Sequence, residues 1–505
     1  MSFHTNYSVL SRFRHVILSM ASGAILALAL PKPGLWVFAW VGLVPLFMAL
    51  RDASVPRAAL CGLLTGIVYY GIILHWITLF GTLPWMLLVV YEALYIAVFA
   101  ALFVRLMPGR IGWLGFVAVP AAWVTLQFMR TLSPYAFIWG SFAHTQADNL
   151  PVAQIASLTG PWGIDFVVCF VNLALAVAIT RHQRRLAPVI VAALLTLGIC
   201  IFGLATMQGA WLTNRASCVA VIQGNVKDDF HPVPNYDQRA YQTYSRLSLA
   251  AAKAKPDIIL WPETALPVDL TKPGWDDSLE PLAKRVRADL LVGGYDPSAH
   301  GSYNALHLYN ANGKKSGVYR KVRLVPFGEF VPLRDRLPFV NNYGIRPEDV
   351  LAADRHALLD SRIGKIGVSI CFESIFPQIA RTQARNGAEL LCVVTNDAWF
   401  EHSQAARQHL MMARLRAIEN RRFLLRAAGT GISAVIDPFG RTRHEIGLFQ
   451  QGIIIDSVSP SRHLTLYTRY GDWLAYLCIA ITVICLFAPI CASKKSSRGK
   501  HLRES

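Results

Sequence analysis

The chain has 505 residues, of which 54% are hydrophobic and 16% charged, with a positive mean hydropathy. These values exclude a single large soluble core and point to several membrane spans beside a smaller soluble part. Its net charge of +18 comes without any Lys/Arg stripe interleaved with aromatics, so nucleic acid is set aside as a partner and the charge is read as a topology signal.

In chain order, apolar runs near the length that crosses a hydrocarbon core as helix occur at 16–30, 35–50, 58–80, 85–104, 111–129, 162–180 and 186–207, and an eighth follows at 473–491. Arg12 and Arg14 precede the first run and Ala27-Leu28-Ala29 lies near its end, as in a secretory signal, but the spans that follow favour an uncleaved helix. Basic residues mark alternate connections: Arg51 and Arg57, Arg105 and Arg110, Arg181 with Arg184 and Arg185, and a tail carrying Lys494, Lys495, Arg498, Lys500 and Arg503. The positive-inside rule therefore predicts cytoplasmic termini and, after a seventh span, an outward block, which in the inner membrane of a bacterium faces the periplasm. The expected domains are a seven-helix membrane part at 1–213, a catalytic part at 214–466, a closing helix at 467–492 and a basic, disordered cytoplasmic tail at 493–505. Glu92 is an acid inside a span and hence a functional suspect, and the connector at 130–158 is long.

Past residue 214 the texture changes to short strands alternating with amphipathic helices, an α/β pattern. Strands are predicted at 218–226, 257–261, 290–294, 366–370, 390–395 and 431–436, and helices at 237–254 and 405–427. Three residues at strand ends bear chemistry. Cys371 ends an apolar strand and begins a turn into a helix, where a nucleophile is exposed and a thiolate favoured; the plainer reading is a small core residue. Glu263, in Trp261-Pro-Glu263, suits a general base or an exposed loop acid. Lys321 lies among Arg320, Arg323 and Pro326, either as a buried oxyanion partner or in a surface basic cluster. The nine cysteines show no paired Cys-x-x-Cys spacing, the fourteen histidines no ligand spacing, and Gly-rich phosphate loops are absent, so neither a metal nor another cofactor is expected.

Taken together, Trp261-Pro-Glu263, Lys321, Pro326-Phe-Gly-Glu329 and Cys371-Phe-Glu373 resemble the nitrilase superfamily over roughly 216–458. That resemblance implies an αββα sandwich in which Glu263 deprotonates Cys371, while Lys321 and the Phe372 backbone N–H hold an acyl oxyanion. It further implies supporting places for Glu329 and for Asn304, and strand alternation turns Glu373 towards the Cys371 side. Trp399, in Thr395-Asn-Asp-Ala-Trp-Phe400, and the Met411-Met412 pair are acyl-channel candidates, with core packing as the alternative. The whole chain, eight spans plus the outward domain, resembles the apolipoprotein N-acyltransferase family. What this implies is a ping-pong transfer from a membrane phospholipid, typically phosphatidylethanolamine, through a Cys thioester to the N-terminal amine of diacylglyceryl-cysteine in an apolipoprotein. One departure is Glu401, where the family's Asn-Asp-Ala-Trp-Phe run continues with Gly. A membrane-tethered amidase of soluble amides shares the triad and stands as the alternative; a transporter lacks paired intramembrane charges or half-repeats in the sequence.

Overall fold

The structure is a computed structural model that describes residues 3–107, 113–180, 186–208, 216–226, 235–272, 274–331 and 349–501, with side chains described only between 13 and 487. Arg110, Arg181, Arg184 and Arg185, which carry part of the topology reading, and the boundary at 213/214 lie outside these residues. Two compact units divide the chain: Met1–Ala205 with Asp472–Ser505, and Thr206–Gly471.

In the first unit, Leu-, Val- and Ala-rich stretches form long helices, with Pro56, Pro84 and Pro188 confined to first turns. Four of them, Val55–Ile73, Thr82–Leu106, Pro161–Thr180 and Leu186–Gln208, are long and apolar enough to cross a membrane. Shorter apolar helical stretches occur at Phe13–Ala27, Trp36–Leu50, Trp113–Met129 and Trp473–Phe487. The helices Val55–Ile73 and Thr82–Leu106 meet through small residues: a side chain at Gly62 or Gly66 would strike the backbone or Cβ of Ala93, Ile96, Ala97 or Ala100.

Two expectations need correction. The run at 35–50 is not one helix but a 3-10 turn, Trp36–Trp40, followed by the seven-residue helix Val44–Leu50 with Pro45 in its first turn. Seven residues rise only about 10 Å, far short of a bilayer core. The break strands the Ala39 carbonyl and the Leu43 N–H, and the Asn172 side chain meets both at 2.8 Å. At the other end, the final helix Trp473–His501 continues through residues expected to be a disordered tail.

Arg130 and Glu92 form a fully buried ion pair at 2.6 Å. The guanidinium also donates to Gln127 Oε1 and to the carbonyls of Phe137 and Trp139. The long connector thus folds back on its own cation, and it carries the short helices Phe142–Thr145, Leu150–Ala153 and Ala156–Thr159.

Among the described residues the second unit has twelve strands: β1 (Ser217–Gln223), β2 (Ile258–Leu260), β3 (Asp289–Ser298), β4 (Gly301–Tyr309), β5 (Lys315–Arg320), β6 (Leu358–Ser361), β7 (Gly364–Ile370), β8 (Leu390–Thr395), β9 (Leu424–Ala428), β10 (Ser433–Ile436), β11 (Thr442–Ile446) and β12 (Gly452–Val458). They form two six-stranded sheets, ordered β12-β1-β2-β3-β4-β5 and β11-β10-β9-β8-β7-β6. Each has a parallel centre, β1-β2-β3 and β7-β8-β9, flanked by antiparallel strands.

Side-chain alternation explains why the sheets stack. Val219, Val221, Ile258, Leu260 and Leu291 face inward and pack with Ile366, Val368, Ile370, Val394 and Leu425 of the other sheet. Their neighbours Ala220, Ile222, Ile259, Leu290 and Val292 face outward against the helices Tyr236–Ala251 and Asp276–Val286. Helices Pro377–Arg385 and Ala405–Asn420 accompany the second sheet, giving the αββα sandwich that the resemblance implied. The helix expected to reach 427 stops at Asn420, where Arg421 takes φ +51°, and Leu424–Ala428 becomes β9. Its Leu-Leu-Arg-Ala-Ala sequence favours helix locally, but pairing between β8 and β10 overrides that preference.

Candidate active site

Three strand ends of the two sheets bring the predicted residues together. After β2, Trp261 is fixed by stacking on Tyr244, with centroids 5.0 Å apart, and by donating its indole N–H to Ser248 Oγ at 2.9 Å. Glu263 follows two residues later and is nearly buried. β3 passes so close that a side chain at Gly293 would meet the Pro262 carbonyl and the Glu263 backbone. Glu263 Oε2 accepts the Asn396 N–H at 2.7 Å; its Oε1 accepts Asn304 Nδ2 at 2.7 Å and lies 3.4 Å from Lys321 Nζ.

Lys321 emerges from β5 with only 1% of its side chain exposed, which settles the choice between buried partner and surface cluster. Its Nζ contacts Glu329 Oε1 at 2.8 Å as well as Glu263. Asn304, on β4, donates to both carboxylates, the second bond reaching Glu329 Oε1 at 3.1 Å. Because carboxylates only accept here, the amide NH2 must face them, and Asn304 Oδ1 has no hydrogen-bond partner among the described residues. Glu329 is held in turn by the Val325 N–H at 2.9 Å. Burial works against the Lys321 charge, but Glu329 and then Glu263 outweigh it and hold its pKa above the usual ammonium value.

Cys371 stands at the end of β7, where the strand enters the 3-10 turn Cys371–Ile375, and takes φ +51°. A left-handed conformation costs a non-glycine residue about 1 kcal/mol, so the turn must be held from outside. Glu373 does this from a fully buried position: Oε2 accepts the Ile370 N–H at 2.7 Å and the Tyr319 hydroxyl at 2.9 Å, while Oε1 accepts Val322 N–H at 2.7 Å and Arg323 N–H at 3.0 Å. It therefore ties the Cys371 turn to the backbone just beyond Lys321. Burial pushes the Glu373 carboxyl up to about 7, against the pull of those donors. The part-exposed Cys371 thiol is raised well above its ordinary value by burial and then by the charge of Glu263, with Lys321 pulling the other way. At neutral pH it rests as a neutral thiol and needs a base.

Phe372 is buried edge-on against Phe376 at 5.2 Å. Trp399 is 42% exposed on the turn that follows Asn396, whereas Met411 and Met412 are packed inside the unit. The Glu401 backbone takes φ +44°, a bend that glycine reaches freely, so the departure from the family's Gly keeps a glycine-type loop with a charged residue in it.

Behind the turn lies a network that the sequence reading missed. Asp397 is bound by Arg426 at 2.7 Å and by the Thr395 hydroxyl at 2.7 Å, and His409 Nδ1 lies 3.3 Å from it. Burial opposes the Asp397 charge, but Arg426 and His409 hold its carboxyl far below the usual range. The missed signal was Arg426 itself, a charge within a buried strand that demands a partner. Among the described residues no cluster of His, Cys, Asp and Glu is arranged to hold a metal ion, and the described cysteines are free.

Comparison with known proteins adds identity to this geometry. The carbon-nitrogen hydrolase family matches residues 218–463, and the apolipoprotein N-acyltransferase N-terminal domain matches residues 22–174. A protein named apolipoprotein N-acyltransferase from Geobacter metallireducens is 35% identical over 92% of this chain and 94% of its own. One of the same name from Gloeobacter violaceus is 31% identical over 94% of each chain. Among solved structures, Saccharomyces cerevisiae Nit3, a member of branch 10 of the nitrilase superfamily, is 21% identical over 50% of this chain and 93% of its own, with a TM-score of 0.39.

Proposed function

The chain belongs to the apolipoprotein N-acyltransferase family, and on that premise we propose that Cys371 carries the acyl group as a thioester between a membrane phospholipid and a lipoprotein amine. The enzyme is an acyltransferase that N-acylates apolipoproteins in lipoprotein maturation, and it works in the bacterial inner membrane. The observation that carries the mechanistic reading is the convergence of Glu263, Glu329, Asn304 and Lys321 in one buried hydrogen-bonded group whose charges act on the Cys371 thiol.

In the first half-reaction Glu263 takes the thiol proton and the sulfur attacks the ester carbonyl of the phospholipid, phosphatidylethanolamine in our reading. The C–S bond forms as the carbonyl π pair moves onto oxygen, where Lys321 Nζ and the Phe372 N–H meet it. Collapse breaks the ester C–O bond, and the proton held by Glu263 passes to the departing lysophospholipid alkoxide. In the second half the α-amine of diacylglyceryl-cysteine attacks the thioester, Glu263 removes the amine's surplus proton, and the thiolate leaves and is reprotonated. Glu329 and Asn304 keep Glu263 and Lys321 in register, Glu373 holds the nucleophile turn, and Trp399 offers an apolar surface to the acyl chain. Cytoplasmic termini, as the positive-inside rule predicts, would set the catalytic unit against the outer leaflet, where both lipid substrates lie.

Intact-protein mass spectrometry tests the reading. After exposure to phosphatidylethanolamine in mixed micelles, Cys371 acquires one acyl mass, which disappears when a diacylglyceryl-cysteine peptide is added. An acyl mass on any other residue, or full transfer by Cys371→Ala, defeats it.

A further inference from the structure

The carbonyl of Cys371 is held by groups that the scheme above does not use. Ser374 Oγ donates to Cys371 O at 2.8 Å, and His409 Nε2 lies 2.7 Å from Ser374 Oγ and 3.2 Å from the same carbonyl. On the other edge of the ring, Arg426 Nη2 lies 3.2 Å from Nδ1. All three side chains are essentially buried.

The proton positions follow from the partners. A carbonyl only accepts, so Nε2 carries a hydrogen and turns it towards Cys371 O, while Nδ1 faces both Arg426 Nη2 and, at 3.3 Å, Asp397 Oδ1. Burial, with Arg426 beside it, keeps the His409 pKa below its ordinary value, against the pull of Asp397. The network therefore starts at Arg426, passes through His409 and ends with His409 Nε2 and Ser374 Oγ both turned as donors to the Cys371 carbonyl. Asp397 anchors the start through Arg426 at 2.7 Å.

Cys371 O and the Phe372 N–H belong to the same peptide unit. That unit is trans, since the cis bonds found are Pro31-Lys32 and Lys32-Pro33, so its N–H points opposite to its C=O. Donors on the carbonyl fix the plane of the peptide and draw electron density towards oxygen, which makes the N–H at its other end a stronger donor. Resting on the thioester reading, we infer that Ser374 and His409 are positioning residues that aim and polarise the 371–372 peptide so that its N–H stabilises the acyl oxyanion.

The inference separates two reactions of one thiol. Acylation passes through an oxyanion, whereas alkylation by iodoacetamide displaces iodide at saturated carbon and forms none. Full-length Ser374→Ala, His409→Asn and the double variant are purified in detergent, and each is followed by mass spectrometry for single-turnover acylation of Cys371 by phosphatidylethanolamine and, separately, for alkylation of Cys371. The double variant, which loses both donors to the carbonyl, acylates roughly tenfold or more slowly while its alkylation rate stays that of the native chain. Ser374→Ala, a smaller change to the packing, shows the same selectivity with a smaller loss, because His409 Nε2 still faces the carbonyl. If acylation and alkylation slow together, the network merely holds the fold, and if neither slows it does not serve the oxyanion; either result overturns the inference. An acyl adduct formed by Cys371→Ala would instead bring down the thioester reading beneath it.

Discussion

Each unit buries a cluster of charge, and the two clusters are built to opposite ends. In the helical unit Arg130 meets one carboxylate, Glu92, and is completed by Gln127, by two main-chain carbonyls and by the ring of Tyr70, 5.4 Å from its guanidinium carbon. One cation balances one anion, and the bonds to the Phe137 and Trp139 carbonyls tie back the segment that follows the arginine. In the sandwich, Lys321 faces two carboxylates, Glu263 and Glu329, with a thiol beside them. That cluster sets two carboxylates against one ammonium. A closed pair maintains a shape; an unbalanced one suits the proton transfer proposed for Glu263.

Several measurements can break or sharpen this contrast. The largest effect belongs to Cys371→Ala, which is expected to abolish both the acyl adduct and transfer while the protein still purifies as a folded membrane protein; a retained adduct would erase the distinction. Next, Glu263→Gln removes the proposed base and should slow single-turnover acylation by roughly 10²–10⁴-fold, and Lys321→Met by roughly 10²–10³-fold, with little change in the melting of the helical unit. By contrast, Arg130→Met leaves Glu92 buried without its partner and should cost about 3–5 kcal/mol. That loss is read as an earlier thermal midpoint in detergent, largely recovered by adding Glu92→Leu, and no recovery in the double variant would argue for a chemical role of the pair.

The smallest effect is a pH dependence. Glu373 has its folded pKa raised from 4.5 to about 7, so the folded state binds more protons than the unfolded state between these values. Stability is then fullest below the unfolded pKa and is lost as pH rises through about 7, by roughly 1 kcal/mol per pH unit at most. The midpoint of the sandwich should fall from pH 5 to pH 7, and the slope should flatten in Glu373→Gln. Equal slopes would mean that its four donors hold the ionised form at no cost.

What the sequence revealed depended on whether a residue announced its own environment. Glu263 and Cys371 follow apolar strands, so their positions at the sheet edge could be read from the runs before them, whereas Lys321 follows the polar strand β5 and stood out only through the family resemblance. His409 could not be read this way, because its partners Asp397, Arg426 and Ser374 arrive from three other elements and nothing in its neighbours marks the meeting. β9 was hidden for a related reason: a Leu-Leu-Arg-Ala-Ala stretch has the local preference of a helix, and only the strands on either side make it extended. Alternation turned Glu373 towards the side of the nucleophile, but it could not show that both its oxygens answer backbone N–H groups.

The broken segment at 36–50 carries a consequence for how the chain is made. Its Leu43 N–H and Ala39 carbonyl find their partner in Asn172, on the helix Pro161–Thr180. In hydrocarbon an unanswered backbone group costs several kcal/mol, and synthesis runs from the N-terminus. The early segment therefore emerges with a debt of hydrogen bonding that only a helix made more than a hundred residues later can settle. Its final membrane position is decided after most of the helical unit has been inserted, and a change at Asn172 would be felt first in biogenesis, in the yield of inserted protein, before it was felt in catalysis.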